Sequence, residues 1–322
     1  MTDAPQPSED LVPLSEAVSD LTSGVVWGQQ GTGKTELVLK SWPLPIMVIN
    51  LDRPMDMAKL KRVPQERHGD IYVRNMRENI QDLTTLDALQ IKQGIEDLIL
   101  RNVDFFKGGT VLLDGGSTWR SIIKLADSKL GDKIAAGQRF NPKDKDQVNA
   151  YIATFLHHVV DTGINLVVTA HAAWSWIMTQ DPETGKNSLQ RTNNVYPKLD
   201  DQCFEQTQYS LLLFKRCICG RPITSQDGTC TGARTLEQLA DHVGRIHTVR
   251  IVDNKYKSSS EGQEYEGFDY DVLYSLCFGT QAPHVRRCSE CGSPGAATQF
   301  QDGRWACQAC WDKLHPEPGE EP

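Results

Sequence analysis

The octet GQQGTGKT at residues 28–35 constrains this chain more than any other feature of its sequence. It follows the short apolar run GVVW and precedes the helix-like stretch ELVLK, so it lies between a predicted strand and a predicted helix. Glycines at this density let the backbone curl with its N–H groups pointing inward, and the following helix adds its positive end. The octet fits G-x-x-x-x-G-K-[ST] and predicts a phosphate-binding loop. The candidate nucleotide-binding residues are Gly28, Gln29, Gln30, Gly31, Thr32, Gly33, Lys34 and Thr35.

Apolar runs along the chain predict an α/β fold. Because these runs are continuous and alternate with helical stretches at 86–101 and 146–163, they are typical of a parallel sheet covered on both faces. We find no internal repeat. The runs are GVVW (24–27), IMVINLD (46–52), GTVLLD (109–114), INLVVTAHA (164–172), YSLLLFKR (209–216) and HTVRIVDNK (247–255).

Composition limits the location and the partners of the chain. Its 322 residues include no apolar run long enough to span a bilayer, and the acidic N-terminus does not have the layout of a secretory signal. We therefore expect a cytoplasmic protein with no membrane partner, whose nine cysteines are thiols or metal ligands. The net charge of −8 indicates that any contact with nucleic acid is local, made by one groove or loop.

A second candidate element is the run TVLLDGGSTW, in which a buried strand ends at Asp114. At that position the carboxylate is expected beside the phosphates, where it can hold a Mg²⁺-bound water. Lys34 is expected to reach the β- and γ-phosphates of a bound nucleotide. The Thr35 hydroxyl is expected to be the other Mg²⁺ ligand.

With these motifs in view, residues 23–278 resemble the RecA family of strand-exchange ATPases, especially the compact versions encoded by bacteriophages. The resemblance implies a RecA-like P-loop core that binds ATP and hydrolyses it. It also implies that Asp52, in INLDRPMD, orients the attacking water. The family usually has Glu there, so slow hydrolysis or a water-bridged geometry is also possible; the alternative is a carboxylate that caps a turn.

The same resemblance implies two further catalytic residues beside Lys34, Asp52 and Asp114. His171, in TAHA, matches the polar sensor of the γ-phosphate, although a histidine at a strand end is otherwise often a hydrogen-bonded core residue. Lys255 matches the lysine that reaches the γ-phosphate of the neighbouring subunit, although it is otherwise an ordinary exposed lysine.

The stretch after His171 is long and has no periodicity, so it is predicted as a functional loop. RecA-like proteins bind single-stranded DNA with a loop at this place. Trp174 and Trp176 are candidates to stack on bases, and Lys186 and Arg191 to pair with phosphates. The alternative is that both tryptophans pack in the core. Residues 129–147 form a second flexible, basic-leaning candidate surface.

Near the C-terminus, C-x₂-C-x₁₅-C-x₂-C spacing predicts a zinc ribbon over 284–314, because two paired thiolate turns supply tetrahedral coordination. Its ligands would be Cys288, Cys291, Cys307 and Cys310.

A weaker cluster interrupts the core at 217–247 and resembles a zinc finger, with two histidines on adjacent turns of one predicted helix. Five residues compete for four ligand places, and a metal-free helical insertion is the alternative. The five are Cys217, Cys219, Cys230, His242 and His247.

These parts predict a disordered acidic segment (1–20), an ATPase core (21–280) with the insertion, the ribbon (284–314) and a disordered tail (315–322). The leading hypothesis is an ATPase, stimulated by DNA, that assembles on single-stranded DNA and acts in phage-type recombination, annealing or repair. Expected partners are single-stranded DNA, further copies of the chain in a filament or ring, and replication or recombination proteins that meet the zinc modules. The alternatives are a ring-forming helicase or helicase loader, and a nucleotide-gated adaptor that does not hydrolyse.

Overall fold

The computed structural model describes most of the chain between residues 21 and 279, with gaps, and two short pieces beyond it. The predicted disordered ends, 1–20 and 315–322, lie outside the described residues. The described ranges are 21–52, 61–76, 83–138, 142–180, 187–199, 201–217, 222–223, 245–256, 258–279, 298–299 and 305–306.

Strands and helices alternate along the first two thirds of the chain, as the apolar runs predict. The strands are β1 (Ser23–Gly28), β2 (Ile46–Asn50), β3 (Ile71–Asn75), β4 (Thr110–Asp114), β5 (Asn165–Gln180), β6 (Asn187–Pro197), β7 (Tyr209–Cys217), β8 (Pro222–Ile223), β9 (Arg245–Asn254), β10 (Glu264–Glu266), β11 (Thr298–Gln299) and β12 (Trp305–Ala306). The α-helices are α1 (Lys34–Ser41), α2 (Thr85–Arg101), α3 (Val103–Phe106), α4 (Gly116–Ala126), α5 (Ser128–Ala135), α6 (Pro142–Asp161), α7 (Asp201–Gln206) and α8 (Tyr270–Phe278). None of the described helices is both long enough and apolar enough to cross a lipid bilayer.

Within the described ranges, ten strands form one mixed sheet whose main order is β10-β9-β7-β1-β5-β4-β2-β3. The six strands from β7 to β3 are parallel to one another. β9 and β10 extend the sheet antiparallel beyond β7, and β6 pairs antiparallel with β5. The predicted α/β class is thus confirmed: a mostly parallel sheet with helices beside it, compatible with a Rossmann-like or RecA-like core.

Apolar side chains project from both faces of the central strands, which explains the continuous apolar sequences of these strands. In β1, Val25 and Trp27 join a core that includes residues of α2, α4 and α6. Val26, between them, points to the other face and packs with residues of α1 and α8. Both faces of the central sheet are therefore buried. Polar groups that could act on a ligand lie in the loops at the strand ends.

One described segment differs from the expected outline. The stretch after His171 is not a structureless loop, because β5 continues to Gln180 and pairs antiparallel with β6 as a long hairpin. The backbone N–H and C=O groups of the two strands pair with each other, and this pairing needs no apolar periodicity in the sequence. Near the C-terminus, β11 and β12 form a two-stranded antiparallel ladder.

Candidate functional site

Three strands end side by side at one edge of the sheet and bring distant residues together. In the parallel register, Gly28 at the end of β1 lies opposite His171 of β5, and Asp114 at the end of β4 lies opposite Asn50 of β2. Asp52 follows two residues after the end of β2. Because the carboxyl ends of parallel strands share an edge, ligands of α/β sheets bind there.

The glycine-rich loop, defined as residues 28–33, turns sharply between β1 and α1. Gly31 and Gly33 have φ of 76° and 91°, left-handed conformations that glycine adopts without strain. Gly28 packs so tightly that a Cβ there would lie 2.2 Å from the carbonyl oxygen of Leu213 in β7. The Thr32 hydroxyl donates to the Gln29 carbonyl at 2.9 Å and closes the turn.

Lys34 begins α1 and bends back over the glycine-rich loop. Its ammonium donates to the carbonyl oxygens of Gly28 and Gln29 at 3.1 and 2.9 Å, and the residue is only 8% exposed. Gly33 precedes the helix and has no side chain to cap it. The first amides of a helix lack intrahelical acceptors, so a cation and the positive end of the α1 dipole lie together here. This combination favours an anionic ligand.

Behind the loop, Asp114 accepts hydrogen bonds from two buried threonines. The Thr35 hydroxyl lies 3.0 and 2.9 Å from its two carboxylate oxygens, and the Thr169 hydroxyl donates to one of them at 2.6 Å. The amide of Gly115 donates to the Thr169 hydroxyl at 3.1 Å. Because all of these groups are buried, the cluster fixes the start of α1 against the end of β4 and against β5.

A second carboxylate, Asp52, lies at the solvent-exposed side of the same edge. The Thr118 hydroxyl donates to it at 2.8 Å, and Nε2 of His171 lies 3.4 Å from its other oxygen. The side chains of Asp52 and His171 are 33% and 41% exposed, so water reaches both. Gly115 makes this approach possible, because a Cβ there would lie 2.7 Å from the Asp52 carboxylate. Asp52 and His171, which were predicted separately as catalytic residues, therefore meet in the fold.

A pocket of about 510 Å³ opens beside this pair, at the base of the β5–β6 hairpin. His171 and Thr118, both in contact with Asp52, belong to its wall. The rest of the wall is part hydroxyl and part apolar, with Lys198 at the returning end of the hairpin. A ligand in the pocket would thus touch the groups that hold the carboxylate.

The candidate DNA-contacting residues Trp174, Trp176 and Arg191 fall on a part of the hairpin for which the structure describes only the backbone. Trp174 lies opposite Val195, and Trp176 lies opposite Arg191, with a register shift between the two pairs. Lys186 lies outside the described residues. Stacking of the two tryptophans on bases stays a prediction, and their packing in the core stays its alternative.

Lys255 lies far from the other predicted catalytic residues. β9 is antiparallel to β7, and its last residue, Asn254, pairs with Tyr209 at the start of β7. Lys255 is therefore at the amino-terminal edge of the parallel strands, opposite to the glycine-rich loop. Its ammonium donates to the backbone carbonyl of Glu205. A role for Lys255 in the site of an adjacent copy stays a prediction.

The prediction that zinc and magnesium are cofactors is wrong for the part of the chain that the structure describes. No group of three or more His, Cys, Asp or Glu residues there could hold a metal ion. Cys217 is fully buried at the end of β7, and His247 belongs to the adjacent strand β9. Thr35 and Asp114 contribute a single carboxylate, which accepts hydrogen bonds from the Thr35 and Thr169 hydroxyls. The other predicted zinc ligands lie outside the described residues: Cys219, Cys230, His242, Cys288, Cys291, Cys307 and Cys310.

Sequence reasoning missed three side chains of this site. Thr169 precedes His171 by two residues in a strand, and period two would have indicated a shared face. Thr118 lies in the first turn of the helix after Asp114, where a hydroxyl can reach back to the strand ends. His247 was assigned to a metal, although its ring lies 2.9 Å from the carbonyl oxygen of Thr32.

Comparisons with known proteins were made at the level of family and of sequence. No family model matches the chain, and no curated protein matches its sequence.

Proposed function

We propose that this chain is a RecA-like ATPase that binds ATP at the glycine-rich loop and couples the nucleotide to single-stranded DNA. The observation that carries the proposal is the convergence at one sheet edge of a buried lysine, an uncapped helix start and a buried threonine–aspartate pair. The order of the six parallel strands, with β5 between the strands that end at Gly28 and Asp114, is compatible with such a core.

ATP would bind through charge and backbone donors. The Lys34 ammonium would exchange the carbonyls of Gly28 and Gln29 for oxygens of the β- and γ-phosphates, which are stronger acceptors. The amides at the start of α1 would donate to the same phosphates, assisted by the helix dipole. Because Lys34 already lies within the loop, little side-chain movement is needed.

Hydrolysis would use Asp52, the partly exposed carboxylate. A water beside Asp52 would attack the γ-phosphorus, the bond between that phosphorus and the β–γ bridging oxygen would break, and ADP and inorganic phosphate would form. Asp52 would orient the water and accept its proton, as a general base does. Thr118 and His171 hold the two carboxylate oxygens and so set the direction of the base.

Coupling to DNA would pass through the β5–β6 hairpin. His171 lies in β5, directly before the part of the strand that pairs with β6, and contacts Asp52. A change at the γ-phosphate that alters the Asp52–His171 contact would therefore reach the hairpin base within one residue. The net charge of −8 agrees with a local contact rather than a general attraction for nucleic acid.

Titration of a fluorescent ATP analogue tests the nucleotide site. Lys34→Ala removes a charge-assisted contact, and affinity should fall by at least about tenfold. Lys40→Ala is the matched control, because Lys40 is on the same helix and, among the described residues, pairs with Glu36 on the surface, at 2.6 Å. Its affinity should stay within about twofold of the wild type. Equal affinity of both variants and the wild type would refute the phosphate-site assignment.

Fluorescence anisotropy of a labelled single-stranded oligonucleotide, with and without ATP, tests the coupling to DNA. ATP should change the affinity for the oligonucleotide, and the Lys34→Ala variant should lose that change while it keeps the fold. Turnover of ATP should be faster with single strands than with duplex or with no nucleic acid. Binding that is indifferent to ATP would contradict the proposal.

A second candidate, a nucleotide-gated adaptor that does not hydrolyse, is favoured by the state of Asp52. Both of its oxygens are already engaged by Thr118 and His171, and aspartate is one methylene shorter than glutamate. Nucleotide binding without turnover, in the presence of single-stranded DNA, would select this candidate over the ATPase.

A further inference from the structure

His247 reaches the glycine-rich loop from a strand that lies two positions away in the sheet. β9 is antiparallel to β7, so its first residues lie at the carboxyl edge of the parallel strands. Leu213 of β7 pairs with Gly28, and His247 pairs with Lys215, two residues further along β7. The register therefore carries His247 past the end of β1 and over the loop.

The ring of His247 contacts the two loop residues that precede α1. Its Nδ1 atom lies 2.9 Å from the carbonyl oxygen of Thr32. A carbonyl oxygen only accepts, so Nδ1 must carry the proton and donate it. A Cβ built on Gly33 would lie 3.2 Å from Nδ1 and 3.4 Å from Cε1, so the ring also packs on the Gly33 backbone. The loop is thereby held by a side chain outside its own sequence.

We propose that His247 is a positioning residue of the nucleotide site: it holds the Thr32 carbonyl and so maintains the glycine-rich loop in its open curl. This inference rests on the proposed function for its effect on ATP. Thr32 is 5% exposed, and its amide and hydroxyl both face Gln29, at 3.4 and 2.9 Å. With the carbonyl tied to β9 and the other two groups tied to Gln29, the peptide before Gly33 has one orientation. That orientation aims the start of α1 at the bound phosphates.

Two substitutions separate this role from general packing. Asparagine places an amide N–H the same number of bonds from Cβ as Nδ1, whereas glutamine places it one carbon further away. His247→Asn should keep the hydrogen bond, and the affinity for the ATP analogue should stay within about twofold of the wild type. His247→Ala and His247→Gln should lose the bond and weaken affinity by about two- to tenfold. A structural role for side-chain volume alone would instead favour glutamine over asparagine.

Hydrogen exchange of the full-length, nucleotide-free protein gives a readout that does not depend on ATP. In His247→Ala, the amides of residues 29–36 should exchange faster than in the wild type, while those of β4 should not change. In His247→Asn, exchange in the loop should return to the wild-type rate. Unchanged exchange in the alanine variant, or equal ATP affinity of all three variants and the wild type, would overturn the inference. Failure of the wild type to bind the analogue, with loop exchange still faster in the alanine variant, would overturn only the proposed function.

Discussion

Replacing Thr169 by valine keeps the shape of a buried side chain and removes its hydroxyl. Thr169 is 2% exposed, donates to Asp114 at 2.6 Å and accepts from the Gly115 amide at 3.1 Å. A hydrogen bond to a charged group contributes about 1.5–3 kcal/mol, and an orphaned buried N–H costs about 1–3 kcal/mol. Because the two effects share one hydroxyl and are not additive, we expect a loss of about 3 kcal/mol in the free energy of unfolding.

Thr248 of β9 offers a matched control in the same kind of strand environment. It is also 2% exposed, but its hydroxyl has no hydrogen-bond partner among the described residues. Thr248→Val removes a buried polar group that gains nothing in the fold, so it should be neutral or stabilising by about 1 kcal/mol. Thr169→Ser, which retains the hydroxyl and loses a methyl group, should cost only about 1 kcal/mol.

Urea unfolding followed by tryptophan fluorescence measures these differences. With an m-value of about 3 kcal/mol/M, Thr169→Val should lower the midpoint by about 1 M, while Thr248→Val should not lower it. The m-values should agree among the variants, which shows that the unfolding reaction is the same. Equal midpoints for the two valine variants would refute the reasoning that the Thr169 hydroxyl supports the site.

Two further results are expected elsewhere in the fold. Gly28→Ala would place a Cβ 2.2 Å from the Leu213 carbonyl oxygen and should lower the melting temperature by about 2–8 °C. Gly69→Ala is the control, because a Cβ there would have no atom within 4 Å, and it should leave the melting temperature unchanged. Equal melting temperatures for the two variants would contradict the close packing at Gly28. Burial raises the pKa of Cys277 from 9.0 to about 12, so the folded protein has far less of the reactive thiolate than the unfolded chain. At pH 8, iodoacetamide should therefore alkylate Cys277 about a thousandfold more slowly in the folded protein than in the protein unfolded in urea. Mass spectrometry of the peptide that contains Cys277 measures both rates. Since the unfolded chain loses this proton first, the contribution of Cys277 to stability is constant below pH 9 and falls between pH 9 and about 12; equal labelling rates in both states would refute the burial argument.

Elements with strong local patterns were predictable. The apolar run GTVLLD became β4, and the helical spacing over 86–101 became α2, which begins one residue earlier with Thr84 as its cap. β3 was missed because the sequence IYVRN forms a half-exposed edge strand with neither an apolar run nor alternation. The hairpin of β5 and β6 was missed because its pairing is set by partner strands rather than by local composition.

The site shows the same division. Spacing alone placed Gly28, Lys34 and Thr35 in the candidate phosphate-binding loop, because a glycine-rich turn before a helix creates its geometry within eight residues. Asp52 and His171 required a resemblance, and their contact required the sheet register. The metal assignments failed in the described residues because cysteine and histidine spacing does not reveal which of these residues a strand takes into the sheet.

By itself, the sequence determined the alternation of strands and helices, the α/β class and the curled loop between β1 and α1, all of which depend on neighbours within about ten residues. Only the tertiary structure decided that Thr169 supports Asp114, that His247 contacts Thr32 and that Lys255 lies at the opposite edge. These relations join residues 50 or more positions apart, and they follow from strand order and direction. Local sequence spacing does not determine strand order or strand direction, because both depend on which strands pair in the folded sheet.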